Sequence, residues 1–371
     1  MKYYIIAGEA SGDLHASNLI AELKKKDAHA EFRAWGGDLM KKQGATLVKH
    51  YRYMAFMGFV EVAVNIRKVL NNIKECKKDM LAYKPDAVIL VDYPGFNLRM
   101  AKFAHDNGLK VFYYISPQVW AWKRRRVKKI KQSVDEMLVI LPFEEEFYRK
   151  YGVNVSYVGN PLLDALSHTN EISRQSFSRK NNLAEKQEII ALLPGSRTQE
   201  VKRTLPTMLS VMPKFADYQF VIAKAPSLDK DFYKKLIGDA NVQIVENQTY
   251  DLLQHASAAM VTSGTATLET ALFTVPEVIC YKANSISYWI ARYLIRVKYI
   301  CLVNLILNKE AVKELIQGDL NTENLAAELD KLLHDFKRQR QLLEDYETLK
   351  DLMGNAGASG KAAEIIVNGL K

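Results

Sequence analysis

The amino-acid sequence predicts an α/β protein of two doubly wound domains facing each other across a cleft. Two observations carry this expectation. Short apolar β-type runs alternate with helix-compatible stretches along most of the chain, and each half opens on its own strand–turn–helix corner. Such alternation reads as largely parallel sheets covered on both faces.

The first corner is Tyr3-Tyr4-Ile5-Ile6-Ala7-Gly8-Glu9-Ala10-Ser11-Gly12-Asp13, followed by Leu14, Leu19, Ile20 and Leu23 at helical spacing. The free N–H groups of a helix's first turn, with the positive end of its dipole behind them, favour an anion. Gly8, Ser11 and Gly12 supply the turn, and Glu9 adds a carboxylate that a plain phosphate cradle does not need. A connection whose glycines only relieve sterics would look the same. Further β-type runs follow at 31–35, 87–91, 110–115, 136–141 and 155–158. A polar stretch near 167–187 places the boundary between an N-terminal domain, 1–180, and a second domain, 181–345.

The second half opens on Ile189-Ile190-Ala191-Leu192-Leu193-Pro194-Gly195-Ser196-Arg197, ahead of a helix pattern with Glu200, Val201 and Leu205. Runs at 219–223, 242–245, 258–262 and 277–281 continue the alternation. The corner after Thr262 is Ser263-Gly264-Thr265, where Ser263 or Thr265 would cap a helix through Leu268 and Leu272. Residues 322–371 are helical by pattern, with Gly354, Gly357 and Gly360 as breaks. The segment 346–371 is expected to pack back on the first domain.

Composition narrows the function. A chain of 371 residues, 48% hydrophobic and 25% charged, suits two globular domains. No apolar run approaches the roughly 20 residues that span a bilayer. The chain starts directly in a strand without a signal pattern, and Cys76, Cys280 and Cys301 are too scattered for a zinc knuckle or disulfide framework. A cytoplasmic protein is expected. The net charge of +10 calls for an anionic partner. The histidines show no ligand spacing, so no metal site is expected.

Asp92 follows the buried-type run Val88–Val91 and precedes Tyr93-Pro94-Gly95, on the rim where α/β sheets bind ligands. There it can serve as a general base or as a helix N-cap. Arg197 beside free N–H groups suits a departing diphosphate, or is a surface arginine. Glu269, one turn into its helix, can accept from a ribose or simply favour the helix dipole. The run Lys123-Arg124-Arg125-Arg126-Val127-Lys128-Lys129-Ile130-Lys131 follows two tryptophans, Trp120 and Trp122. It fits nucleic acid, a phosphate-bearing substrate, an anionic lipid surface or a solvated helix face. No nucleic-acid motif accompanies it. Residues 54–70 are apolar on more than one helix face: Phe59, Val62, Ala63, Ile66 and Leu70 form one stripe, with Met57, Val60 and Val64 off it. The surplus suits acyl chains or a membrane interface, or a helix buried on two sides.

The motifs Ala7–Asp13, Met57–Val62, Asp92–Asn97, Ser116–Trp122, Leu141–Glu144, Gly159-Asn160-Pro161, Leu193–Arg197, Ser263–Glu269 and Val303-Asn304-Leu305 together resemble the lipid-A-disaccharide synthase family, over nearly the whole chain. The chain departs from the family pattern at Gly95, where many members carry a second acid, and at Val303, where many have proline. The resemblance implies a two-Rossmann glycosyltransferase of the GT-B type. It implies inverting transfer from UDP-2,3-diacylglucosamine to 2,3-diacylglucosamine 1-phosphate, lipid X, giving a β-1′,6-linked disaccharide 1-phosphate and UDP, without metal or other cofactor. It implies Asp92 as base, Arg197 as an essential arginine, and Glu9 and Asn304 as further activity-linked positions. UDP is expected on Gly195, Ser196, Ser263, Gly264, Thr265 and Glu269 of the second domain. A peripheral position on the cytoplasmic face of the inner membrane is also implied, and oligomeric state is left open. Same-fold transferases or epimerases of soluble UDP-sugars, and a non-catalytic nucleic-acid binder, are the alternatives.

Overall fold

The computed structural model describes residues 1–54, 66–120, 126–167, 169, 171–284 and 298–371. Met57, Phe59, Val60 and Val64 of the apolar segment, and residues 123–125 of the basic run, lie outside them.

The described chain forms two compact units, one of Met1–Ser167 with Met353–Lys371 and one of His168–Leu352. The first holds a parallel sheet of β1 (Lys2–Ala7), β2 (Glu31–Gly36), β3 (Thr46–His50), β4 (Ala87–Val91), β5 (Lys110–Tyr114), β6 (Glu136–Val139) and β7 (Val155–Tyr157), in the order β3-β2-β1-β4-β5-β6-β7. Because alternate residues of a strand point to opposite faces, β1 feeds two cores. Tyr3, Ile5 and Ala7 join one, and Tyr4 and Ile6 the other. Val88 and Leu90 of β4 likewise oppose Ala87, Ile89 and Val91. This two-sided burial is why the strands read as unbroken apolar runs.

The second unit repeats the plan with β8 (Ile189–Leu193), β9 (Gln219–Lys224), β10 (Gln243–Glu246), β11 (Ala256–Thr262), β12 (Glu277–Tyr281) and β13 (Lys313–Ile316), again parallel, ordered β10-β9-β8-β11-β12-β13. In both sheets the first strand of the unit lies beside the fourth. Chain order therefore reverses at the β1/β4 and β8/β11 junctions.

Two edge strands, β3 and β13, are absent from the sequence reading. Edge strands bury less and tolerate charge. Lys49 stands in β3 and Lys313 in β13, and only Leu315 of β13 is buried. The boundary also moves, from 180/181 to 167/168. The helix Arg174–Lys180, capped by Ser173, belongs to the second unit. Its Phe177 packs with Ile189, Ala191 and Leu193, and Arg174 donates to the carbonyls of His255 and Gln187 at 3.0 and 2.6 Å. The helix Phe336–Met353 lies in the second unit up to Leu352, so the return to the first unit begins at 353 and not at 346.

The last helix, Ala358–Asn368, then covers the first sheet beside Ala10–Lys26, with Ala362, Ala363, Ile366 and Val367 among Leu19, Ile20 and Leu23. Asp164 caps it, accepting from the N–H groups of Gly357, Ala358 and Ser359. Gly360 lies inside this helix and does not break the chain. Gly354 and Gly357 do, with φ of +74° and +111°.

Glu277, at the start of β12, is fully buried with neither carboxylate oxygen hydrogen-bonded. Burial raises its pKa well above the ordinary 4.5. The folded chain thus holds a proton that the unfolded chain releases, and stability falls as pH rises above about 4.5. Glu277→Gln keeps the shape without the ionisation. It is expected to raise the thermal midpoint at about pH 8 and to leave it nearly unchanged at about pH 4. Calorimetry showing a pH-independent difference would contradict this.

Candidate active site

Each unit places its chemistry at the carboxyl ends of its central strands. In the first unit, Gly8 and Glu9 follow β1 and Asp92 and Tyr93 follow β4, side by side at the junction where chain order reverses. Ligands in open α/β sheets enter at such junctions, because the crossovers leave in opposite directions there and open a crevice.

The β4 turn is strained. Asp92 and Tyr93 take φ of +43° and +48°, left-handed values that β-carbon sterics disfavour. The surroundings hold them there. The Asp92 carbonyl accepts from the Tyr113 hydroxyl at 2.6 Å and from Asn97 Nδ2 at 2.8 Å. The Tyr93 hydroxyl donates to the Met54 carbonyl at 2.8 Å. Asn97, fully buried, also reaches the carbonyls of Val91 and Ile6 at 3.2 and 3.3 Å, so one amide spans the ends of β4 and β1. The Tyr93 ring lies flat against Gly8, where a β-carbon would stand 2.3 Å from it. That close approach requires glycine.

Asp92 does not cap a helix; Tyr93 holds the N-cap position of Pro94–Asp106 and makes no side-chain cap bond. The Asp92 carboxyl is half-buried. Burial, and then the neighbouring charge of Glu9, push its pKa up to about 6. A carboxylate poised there is a stronger base than an ordinary aspartate yet still ionised at neutral pH.

Glu9 is the N-cap residue of Ala10–Lys26. Gly12 lets that helix sit close on β1, since a β-carbon would meet Ala7 Cβ at 3.3 Å. Ser11 is exposed on the first turn. Asp13 turns away, accepting from the N–H groups of Gly37, Leu39 and Met40 at 2.8–3.2 Å. The motif's second acid therefore braces the β2 exit.

In the second unit, Gly195 takes a φ of +114° and the chain turns into the helix Thr198–Ser210. The N–H groups of Ser196 and Arg197 both point at Glu200 Oε2, at 3.2 and 3.3 Å, and Arg197 Nη1 lies 3.4 Å from Oε1. The turn thus already holds an anion, its own glutamate. Thr204 fixes it from below through the Pro194 carbonyl at 2.8 Å. Arg197 is otherwise exposed.

Across the β8/β11 junction lies Ser263-Gly264-Thr265. Neither hydroxyl caps the helix Thr265–Leu272: Gly264 holds the N-cap position without a side-chain bond, and Ser263 donates to the Ile300 carbonyl at 3.0 Å. The reading of Ser263 or Thr265 as caps is corrected accordingly: among the described residues no side chain caps this helix. Glu269 is half-buried, its Oε1 accepting from the Tyr250 hydroxyl at 3.1 Å, and burial raises its pKa.

Asn304 is not available to a ligand. It is fully buried, its Nδ2 donating to the Val312 carbonyl at 2.8 Å and to Glu314 Oε1 at 3.0 Å, while its Oδ1 accepts from Val312 N at 2.9 Å. Its role is to clasp the loop ahead of β13, a strand the sequence reading lacked.

In sequence, Glu144 is part of a motif with no role assigned to it. Fully enclosed, it accepts from Trp120 Nε1 at 3.0 Å and Leu141 N at 3.1 Å, and burial pushes its pKa up to about 7. It ties the β5 exit loop to the β6 exit. It is the third helical residue after Leu141, and its bond to the Leu141 N–H is the glutamate half of a capping box, with no side-chain acceptor on the leucine to complete it. Among the described residues no cluster of His, Cys, Asp and Glu could hold a metal ion.

This architecture is that of the GT-B proteins. Solved structures of like fold include the UDP-GlcNAc 2-epimerase of Neisseria meningitidis bound to UDP-GlcNAc, with a TM-score of 0.69, 13% identity and coverage of 99% of this chain and 100% of that one. The glycotransferase of kitacinnamycin gives 0.68 and 14%, covering 100% and 99%. At these identities the likeness shows the fold alone. The family model described as Lipid-A-disaccharide synthetase matches residues 3–366, and the chain belongs to that family, glycosyltransferases of lipid A biosynthesis. It is 44% identical over 374 residues to the lipid-A-disaccharide synthase of Syntrophus aciditrophicus, covering 99% of this chain and 97% of that one. To the Myxococcus xanthus protein of the same name it is 36% identical over 369 residues, covering 98% and 96%.

The Asp92–Glu9 pair makes a pH prediction. If Asp92 acts as a base, kcat/KM falls as pH drops through about 6, where it takes a proton. Glu9→Gln removes the like charge and is expected to move that acid limb to lower pH. An acid limb that stays in place in a pH–rate profile of the active variant would break the coupling.

Proposed function

We propose that the chain joins 2,3-diacylglucosamine from its UDP-sugar to the 6-hydroxyl of 2,3-diacylglucosamine 1-phosphate with inversion. The first unit takes the acceptor and the second the donor. The acceptor oxygen attacks the anomeric carbon. The bond from that carbon to the UDP phosphate oxygen breaks, its electron pair leaves with UDP, and Asp92 takes the hydroxyl proton. A sugar hydroxyl is a poor nucleophile unless its proton departs as the bond forms.

The observation that carries this reading is Asp92 itself: a carboxyl on a strained turn at the β1/β4 junction, pushed up to about 6. On the donor side, the Ser196 and Arg197 N–H groups and the Arg197 guanidinium suit a diphosphate that gains charge as it leaves. Those groups now hold the Glu200 carboxylate. Glu269, braced by Tyr250, suits a ribose. The soluble-sugar alternative shares only the fold with the UDP-GlcNAc 2-epimerases, and fold does not settle function.

No described helix is long and apolar enough to cross a membrane. Reversible association with an anionic membrane surface, through residues 54–70 and the basic run 123–131, accompanies the proposal. Of the described part, Leu70 is 48% exposed on the helix Ile66–Tyr83. In the helix Arg126–Ser133 only Val127, Ile130 and Ser133 are buried, leaving Lys128, Lys129 and Lys131 exposed.

Asp92→Asn keeps size and removes basicity. Turnover is expected to fall roughly 10²–10⁴-fold with UDP binding little changed. Loss of UDP affinity with turnover preserved at saturation would make Asp92 a binding residue and leave Glu9 as the base. For the membrane, Met57→Ser with Phe59→Ser is expected to weaken liposome flotation, as is added salt. Flotation insensitive to both would refute the association.

A further inference from the structure

We propose that the outer flank of the first unit carries a binding site for the headgroup of an anionic phospholipid, in the groove between the helices Ile66–Tyr83, Pro94–Asp106 and Arg126–Ser133. The inference rests on the membrane reading above, but on side chains that take no part in the Asp92 turn. The groove is lined by Ile73 and Lys77 of the first helix, by residues from Leu98 to Asp106 of the second and by residues from Lys129 to Ser133 of the third.

The groove encloses about 540 Å³. Ile73, Leu98 and Phe103 form an apolar floor, and Lys77, Arg99 and Lys129 stand around it. Among the described residues none of these three cations is within ion-pair distance of a carboxylate, whereas Lys102, which also lines the groove, is paired with the groove's own carboxylate, Asp106, at 2.8 Å. Lys77 Nζ lies 4.7 Å from the centre of the Phe103 ring, a cation held against the apolar floor. Unpaired cations converging from three helices repel one another unless an anion is shared between them.

The floor decides which anion. A free phosphate would satisfy the cations and leave Ile73, Leu98 and Phe103 uncovered. A nucleic acid needs a track along its backbone and open aromatic faces for stacking, and here the one aromatic ring is faced by a lysine. A phospholipid supplies both halves: a phosphate for the cations and the first carbons of its chains for the floor. In sequence, two of the three helices continue N-terminally into the apolar run 54–65 and the basic run 121–125, the segments proposed to meet the membrane.

The test uses the full chain and short-chain phosphatidylglycerol below its micelle concentration, measured by titration calorimetry with phosphatidylcholine as control. Replacing Lys77, Arg99 and Lys129 together by Gln is expected to weaken phosphatidylglycerol binding on the order of 100-fold, from the usual contribution of a basic residue near an anionic surface. Phe103→Ser alone is expected to weaken it several-fold. Turnover on detergent-dispersed substrates should stay unchanged in Phe103→Ser. Lys77→Arg with Lys129→Arg should bind as the parent does, which separates lost charge from lost fold. Unchanged affinity in the triple variant overturns the site. Inorganic phosphate binding as tightly as the lipid, with no effect of Phe103→Ser, also overturns it and leaves a free-anion site. Met57→Ser with Phe59→Ser serves as the separate control: if it abolishes flotation while the triple variant changes nothing, the membrane reading stands and this site falls.

Discussion

One side-chain amide fixes the geometry on which the first rim depends. Asn97 Nδ2 is shared among the carbonyls of Ile6, Val91 and Asp92, the last acceptors at the ends of β1 and β4. These strands are neighbours, but the chain leaves them in opposite directions, so no crossover covers the gap between them. Backbone carbonyls at such a gap would face an apolar core or an entering substrate without partners. Leaving one buried and unsatisfied costs about 1–3 kcal/mol. With two N–H groups Asn97 reaches all three, most closely the Asp92 carbonyl, and so helps hold it where the backbone takes a left-handed φ. The strain at Asp92 and Tyr93 is thus maintained by the same bond that closes the strand ends. Tyr113 and Tyr93 add their hydroxyls from either side.

That arrangement explains why the carboxylate is both placed and tuned. With its carbonyl pinned, Asp92 directs its side chain at the rim, where packing excludes part of the solvent and Glu9 adds a like charge. Neither effect requires anything beyond the junction itself. The two strands that meet there each end in a turn bearing one acid. In the second unit the equivalent junction, β8 beside β11, carries no such pair. It has a glycine turn with φ of +114°, a helix start with inward N–H groups, and an arginine. One fold plan, used twice, yields an acidic rim and an anion-accepting rim through the residues of two turns each.

The sequence made the central strands legible because a parallel strand buried on both faces is a run of apolar residues, as Tyr3–Ala7 and Ile189–Leu193 are. The edge strands β3 and β13 were not legible, since Lys49, Lys313 and Glu314 interrupt them and pairing on one side leaves them half open. Asp92, Glu9 and Arg197 stood out because charge just past an apolar run has few structural uses. Asn304 entered only through the family resemblance, as an activity-linked position. Its actual partners, Val312 and Glu314, belong to the unread strand β13 and the approach to it, and no local pattern could supply them. Trp120 and Glu144 each stood in a motif, but their bond was not legible because it joins two loops 24 residues apart. Only the sheet order brings β5 and β6 exits together.

The glutamate in the second unit's turn bears on how a diphosphate could be held by backbone and arginine. Glu200 sits one turn into its helix, and its carboxylate takes the two N–H groups that otherwise point into the crevice. Those donors are therefore satisfied in the folded chain, and the turn keeps its shape with no ligand bound. A diphosphate entering the same turn exchanges one anion for another. The N–H groups already hold a carboxylate and Gly195 already has its left-handed φ, so an entering anion would need only to bind better than a single carboxylate does. A doubly charged group that also meets the Arg197 guanidinium meets that condition, and a neutral sugar does not. On the proposed reading, a turn held in this way would favour binding that is selective for charge and reversible.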